Sequence, residues 1–350
     1  MTAGLLSPLG AMGAAVCATA VLVLMTAAML CGTTEAGSAP PPLAPTVSFL
    51  SHQVCTQGAL DSVCLIQNVT MALPTGFSVT IQGSGPEIRL VNASIVQAPC
   101  QSPLCFYQTF SIKSAGRLSL TQGSRISVPS LDVQTGSLFV DDSSVIDVSA
   151  MGYDKAIQGA GQGGGGGSHG GQGSTCGQGS GGASFGSFSL PRWFGGPGSV
   201  FDGNYSNPRG GGVLFVSVQE AVINGQVLAD GGSAPAGVPA VIGGAAGGSM
   251  YIYAPNLTLG SLSVLSVAGG DSASFFGQAG GGGGGGGGRI GIQTESDIDM
   301  DAFVLVGGGS TQGCSYGGTA TLYAAPVCSL PRVLLFLFFF LFLLRFPHGE

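Results

Sequence analysis

The chain has 350 residues, 64 of them glycine, only 8% of them charged, and a formal net charge of −7. Ten Lys plus Arg without a basic cluster exclude nucleic acid as a partner, because phosphate recognition needs a positive footprint. The 44% apolar fraction is enough for a long core, in one elongated domain or two compact ones.

Residues 1–36 read as a secretory signal. An apolar run from Ala14 to Met29 is followed by Gly32-Thr33-Thr34-Glu35 and by the small residues Ala36, Gly37, Ser38 and Ala39, a cleavage context. No Lys or Arg precedes the run, so an uncleaved anchor is the alternative. Residues 37–48 form a linker that Pro40-Pro41-Pro42 and Pro45 stiffen. Four N-x-S/T sequons, at Asn68, Asn92, Asn204 and Asn256, lie downstream of the signal and predict a secreted glycoprotein.

Residues 49–116 carry Cys55, Cys64, Cys100 and Cys105, which predict disulfides in an oxidising compartment with the pairing left open. A zinc site is the weaker reading, since no histidines accompany these cysteines at ligand spacing. From Arg117 to Val148 come short period-two segments: Leu118–Leu120, Ile126–Val128, Leu131–Val133, Leu138–Val140 and Val145–Val148. No segment has a helical apolar period.

Three later stretches repeat one pattern. Gly211-Gly212 opens Val213–Val218, Gly247-Gly248 opens Ser249–Ala254, and Gly287-Gly288 opens Arg289–Ile292. Each runs through further short apolar runs to another Gly-Gly pair, and a fourth copy starts at Gly317-Gly318. Repetition of this kind marks a solenoid, a propeller or an array. The turns lack recurrent hairpin signals, so residues 117–326 predict a right-handed parallel β-helix (β-solenoid), with a β-sandwich as the alternative. Two glycine tracts, Gly159–Gly182 and Ala273–Gly288, read as flexible surface loops inserted between coils, with close-stacked polyproline-II-like backbone as the second reading.

Residues 327–350 include Val333–Leu344, twelve apolar residues that span only about 18 Å as a helix. That is too short for a transmembrane span. The tail reads as a gene-model or truncation artefact, or as a GPI-type signal that would tether the chain to a membrane.

Candidate chemistry is sparse. Asp141-Asp142 is the one adjacent acidic pair, and a turn between strands accounts for it. His169 sits within a glycine tract, a poor place to preorganise a base. Asp297, Asp299 and Asp301 form a weak calcium candidate that lacks the glycine and glutamate of an EF-hand loop. No cofactor is expected. Trp193, Phe194, Tyr205, Tyr251, Tyr253, Phe275, Phe276 and Tyr316 lie in or beside glycine-rich segments and are candidate sugar platforms. Tyr251 and Tyr253 read better as core, one of them facing inward.

Ser149-Ala150-Met151-Gly152, then Gly166-Gly167-Ser168-His169-Gly170-Gly171, then the three Gly-Gly strand openings carry a resemblance. Over Arg117 to Ala325 the chain resembles large secreted glycine-rich surface proteins with pectin-lyase-like repeats. The resemblance implies an extracellular β-helix with a structural or adhesive role and no active site to transfer. The expected function is therefore a non-catalytic matrix or wall component whose partners are polysaccharide or other wall proteins. A carbohydrate-active β-helix enzyme is the alternative, and an ice- or surface-binding solenoid ranks third because no regular Thr-x-Thr ladder recurs.

Overall fold

The computed structural model describes residues 46–49, 54–75, 77–97, 108–152, 154–155, 158–177, 179–201, 205–238, 240–273, 281–295, 303–305, 307–311, 317–319 and 321–326. The signal, most of the linker and the apolar tail lie outside them. Ala44–Val327 is one compact unit.

Every named element is a strand. In the first half these are β1 (Thr46–Ser48), β2 (Gln57–Gly58), β3 (Val63–Gln67), β4 (Thr70–Ala72), β5 (Ser78–Gly83), β6 (Glu87–Val91), β7 (Ser94–Val96), β8 (Phe110–Thr121), β9 (Arg125–Ser127), β10 (Ser130–Val140) and β11 (Val145–Asp147). The second half holds β12 (Val213–Ser217), β13 (Glu220–Ile223), β14 (Gln226–Leu228), β15 (Ser249–Tyr253), β16 (Asn256–Leu259), β17 (Val264–Ser266), β18 (Arg289–Thr294), β19 (Phe303–Leu305) and β20 (Thr321–Pro326). A 13-stranded sheet runs through β2, β3, β6, β8, β10, β12, β15, β18 and β20, with four further strands paired to its sides. A seven-stranded sheet runs β19, β17, β14, β11, β9, β7, β4. Pairing between named strands is parallel throughout except for β2 with β3, so the hairpin ladders of an antiparallel sandwich are absent among the described strands.

The sequence repeats become in-register neighbours: Val213 pairs Ser249, Ser249 pairs Arg289, and Arg289 pairs Thr321. Both β8 and β10 span two faces. Their first halves align with β5 and β12, and their second halves with β6 and β13.

Alternate residues point inward and stack like on like. One inward column is Phe110, Leu131, Leu214, Met250 and Ile290, and its neighbour is Ile112, Val133, Val216, Ile252 and Ile292. A second face stacks Ile88, Leu118, Leu138, Ala221 and Leu257, with Cys64 at its start. The seven-stranded sheet adds Ile95, Ile126, Ile146, Val227 and Leu265. All of these are buried. Each Leu or Ile contributes about 1.5–3 kcal/mol by leaving water, so the columns dominate the stability of the strand region.

Between faces the chain turns at residues held in the left-handed region. Asn68 (φ 54°), Asn92 (φ 46°) and Gln122 (φ 56°) directly follow β3, β6 and β8. Asn pays less than other residues for this conformation because its short amide bonds locally. Here Asn92 Nδ2 donates to Asn68 Oδ1 at 2.9 Å, joining one corner to the next. Close to the N-terminal end, Cys55 and Cys64 are disulfide-bonded, while Cys100 and Cys105 lie outside the described residues.

The described cores of the glycine tracts are not flexible surface loops. Residues 164–169 and 281–288 are buried, and their backbone groups bond to other glycine-rich segments. Along 281–288 the N–H groups of Gly283 and Gly286 donate to Gly164 O and Gly167 O. Those of Gly285 and Gly288 donate to Gly270 O and Val267 O, and that of Gly287 to Gly318 O. Residues three apart thus bond the same neighbour. The pattern recurs: Gly244 and Gly247 donate to Gly283 O and Gly286 O, and Gly243 and Ala246 donate to Ser199 O and Gly196 O. Three residues per turn is the symmetry of polyproline II, and it lets one segment bond neighbours on three sides.

At the closest approaches between segments there is no room for a side chain. A Cβ on Gly166 would lie 2.0 Å from Gly284 O, one on Gly285 1.9 Å from Ala245 O, and one on Gly286 2.1 Å from Gly171 O. Glycine is present for close approach, and the hydrogen bonds offset its ordering entropy.

Candidate functional site

A group of aromatic residues gathers on the outer face of β12, β15, β18 and β20. Tyr251 and Tyr253 are two apart on β15 and share that face, while Met250 and Ile252 point inward at 0% exposure. One of the two is buried as expected, Tyr251 at 6% exposure, but the expectation that it faces inward is corrected by the period of two, which puts both on the outer side. Phe215 and Tyr251 pair across β12 and β15 with rings stacked, centroids 5.1 Å apart and planes at 11°. Tyr251 donates its hydroxyl to Gln293 Oε1 at 2.9 Å. Its hydroxyl pKa is raised, chiefly because burial disfavours the phenolate.

A segment from Phe185 to Phe194 lies across this face as a strap. Phe188 meets the edge of Tyr323 on β20 at 5.7 Å. Pro191 lies over Gly291 of β18, where a Cβ would come within 3.0 Å of the proline ring. Arg192 places its guanidinium 5.0 Å above the Phe215 ring. The buried Ser249 hydroxyl donates to Trp193 O at 2.6 Å and accepts from Trp193 N at 3.1 Å. Arg289 fixes the other end, with Nε donating to Phe185 O at 2.9 Å and Nη1 to Thr321 Oγ1 at 3.0 Å. So tied, the strap still leaves Phe188 57%, Leu190 41% and Trp193 51% exposed. Phe194 is buried, and Tyr205 stands apart beside a recess of about 420 Å³ that Asp154, Lys155, Val200, Ser206 and Asn207 complete. Phe275, Phe276 and Tyr316 lie outside the described residues.

His169 is held in the glycine bundle at 0% exposure, not in a floppy tract. Its Nδ1 lies 3.0 Å from Gly247 O and 3.1 Å from Gly248 O, which assigns the proton to Nδ1 and leaves Nε2 a bare acceptor without a partner. The ring packs 5.0 Å from that of Phe185. Burial pushes its pKa down to about 4, the Arg289 charge adds to the drop, and the glycine carbonyls oppose it. A neutral, enclosed imidazole positions the bundle against the strap; it cannot reach a substrate outside.

The carboxylates are spent on turns and corners. Burial pushes the Asp141 pKa up, but the nearby Ser144 hydroxyl and hydrogen bonds from Gln122 N and Ser143 outweigh it and hold the group below the usual range. Asp147 is ion-paired with Arg125. Asp230 accepts from the Ser266 hydroxyl and from Ala268 N, and burial, then the charge of Asp147, raise its pKa. Asp154 pairs with Arg209 at 2.6 Å.

Of the sequons, Asn68 and Asn92 stand exposed at the corners and Asn256 stands exposed at the start of β16, while Asn204 lies outside the described residues. Asp297, Asp299 and Asp301 also lie outside them. Among the described residues no group of three or more His, Cys, Asp or Glu is placed to hold a metal.

The strap was only half legible. Ser187-Phe188-Ser189-Leu190-Pro191-Arg192-Trp193 interrupts a glycine-dominated stretch with bulky residues and a proline, and that break in composition was the available signal for Phe188, Leu190 and Arg192. Comparison with protein-family models, curated proteins and solved structures finds no match for this chain.

Proposed function

We propose that the chain is a secreted or cell-surface structural protein, an adhesive component of an extracellular matrix or wall that holds polysaccharide along a stiff scaffold. The reading takes the strand region as a right-handed parallel β-helix, the hand that parallel crossovers adopt in nearly all cases. One observation carries it: successive units stack in register over all three strand columns, and the glycine bundle pairs the intervening backbone with itself. A scaffold of that kind repeats its outer surface at every unit, so weak contacts add as avidity. The Cys55–Cys64 disulfide and the exposed sequons Asn68, Asn92 and Asn256 favour the extracellular setting.

The test is expression of the full chain in a eukaryotic secretory host. Glycosylated protein in the medium or on the cell surface, co-sedimenting with insoluble wall polysaccharide, is expected. Retention in the cytosol, or secretion without affinity for any polysaccharide, would sink the proposal. The alternative, a carbohydrate-active enzyme, would have to free Asp147 from Arg125 and Asp230 from Ser266 and Ala268 N, two carboxylates whose charges interact. Release of new reducing or unsaturated ends from a polysaccharide, lost in Asp230→Asn, would replace the adhesive reading with this one.

A further inference from the structure

We propose that the strap Phe185–Phe194, with the sheet face beneath it, is the polysaccharide-binding site, taking sugar ring faces on Trp193 and Phe188. This rests on the adhesive reading above and gives it a location.

Three observations converge. The first is the rigid display of apolar rings. The one Trp of the chain is 51% exposed, although both its backbone groups are bonded to the buried Ser249 hydroxyl. Phe188 is 57% exposed and braced by Tyr323. An apolar ring that merely lacked room in the core would not need a scaffold to hold it out in water.

The second is direction. The strap touches Tyr323 on β20, Gly291 on β18 and Phe215 on β12, and so crosses four neighbouring strands with β15 between them. Adjacent strands lie about 4.8 Å apart, and Trp193 is tied to Ser249 on β15 while Phe188 meets Tyr323 on β20, which separates them by two steps, about 10 Å, along the stacking axis. The strand step is close to the length of one pyranose in an extended glycan, so the two rings can address one chain about two sugars apart.

The third is the polar complement. Arg192 is exposed, stacked on Phe215, and in no ion pair among the described residues. Lys113 lies on the same outer face, on β8, in register with Gln134 of β10 and likewise in no described ion pair. Both are donor-only groups, suited to the hydroxyl, ring or carboxylate oxygens that edge a sugar ring. Gln134 and Tyr253 share that face and add neutral partners. The ligand chemistry is an apolar ring face edged with acceptor oxygens, which neutral and uronate glycans share.

The experiment uses the full-length secreted glycoprotein and two probes, a soluble neutral β-glucan and polygalacturonate, with binding read by titration calorimetry and by Trp193 fluorescence. Wild type is expected to bind at least one probe with a shift in Trp emission. Phe188→Ala/Trp193→Ala is expected to weaken binding at least tenfold with the melting temperature unchanged. A larger loss in Arg192→Ala for polygalacturonate, easing as salt rises, identifies the uronate as preferred; equal losses identify the neutral chain. Phe201→Ala removes another exposed ring, 54% accessible and away from the strap, and is expected to bind as wild type. Wild-type binding that survives in Phe188→Ala/Trp193→Ala overturns this location and leaves the adhesive reading standing. Failure of wild type to bind any polysaccharide overturns both. Self-association that disappears in Phe188→Ala/Trp193→Ala, without a change in glycan binding, assigns the face to a second copy of the chain and overturns the proposal.

Discussion

Gly286→Ala is the sharpest probe of the glycine bundle. The new Cβ would fall 2.1 Å from Gly171 O and 2.6 Å from its carbonyl carbon, against the 3.0 Å below which real Cβ contacts essentially never occur. One backbone segment must therefore move by about 0.9 Å. Neither is free to do so: Gly286 N donates to Gly167 O at 2.8 Å, Gly247 N to Gly286 O at 3.0 Å, and Gly171 N to Gly287 O at 2.8 Å. Breaking or stretching two of these in a buried setting costs about 1–3 kcal/mol each, so a loss of about 4 kcal/mol is expected. That corresponds to a fall in melting temperature on the order of 10 °C for a unit of this size. Gly307→Ala is the matched control, because its Cβ would meet nothing within 4 Å and its φ is unremarkable. Both substitutions restrict the unfolded chain equally, so Gly307→Ala should be neutral or stabilising by about 0.5 kcal/mol. Equilibrium unfolding in guanidinium, followed by circular dichroism, gives the difference. If the two variants agree within about 0.5 kcal/mol, the tract is pliable and the account of the bundle is wrong.

His169 makes stability depend on pH. Its folded pKa of about 4 lies below the ordinary histidine value of 6.5, so the unfolded chain takes up a proton that the folded chain refuses. Stability from this group is full above pH 6.5 and declines towards pH 4, by on the order of 3 kcal/mol in all. His169→Gln should remove that slope, so the gap in melting temperature between wild type and variant narrows as the pH falls from 7 to 4.5; parallel curves would refute it. At the corner, Asn92→Ala places a Cβ residue without a local amide at φ 46° and loses the bond to Asn68, a cost of about 2 kcal/mol. Asn92→Gly keeps the conformation and loses only the amide, about half as much; a glycine variant less stable than the alanine one in the same denaturation assay would contradict the left-handed corner.

The strand region was largely legible from sequence. Segments such as Leu118–Leu120 and Leu138–Val140 alternate over short spans, and the Gly-Gly openings before Val213, Ser249 and Arg289 set the register that the ladders adopt. What stayed hidden were the contacts made by residues without side chains. Gly164 to Gly167 offer no periodicity to read, since a segment satisfied on three sides by backbone has the same composition as a solvated linker. Burial of Tyr251 was foreseen but not its side, because the inward positions of β15 belong to Met250 and Ile252 and the cover over Tyr251 comes from outside the strands. The corner role of Asn68 and Asn92 was hidden behind their identity as sequons, as one residue type serves both purposes.

The threefold bonding of residues 281–288 also limits how such a tract can change length. Removing one glycine would turn every following N–H by about a third of a revolution, away from the segment it now bonds. Removing three would restore the directions and shorten the segment by about 9 Å. Glycine runs are encoded by repetitive DNA, in which gain and loss of single codons is the easy error. Here the homogeneous sequence hides a reading phase, and only length changes in steps of three would keep the bonding.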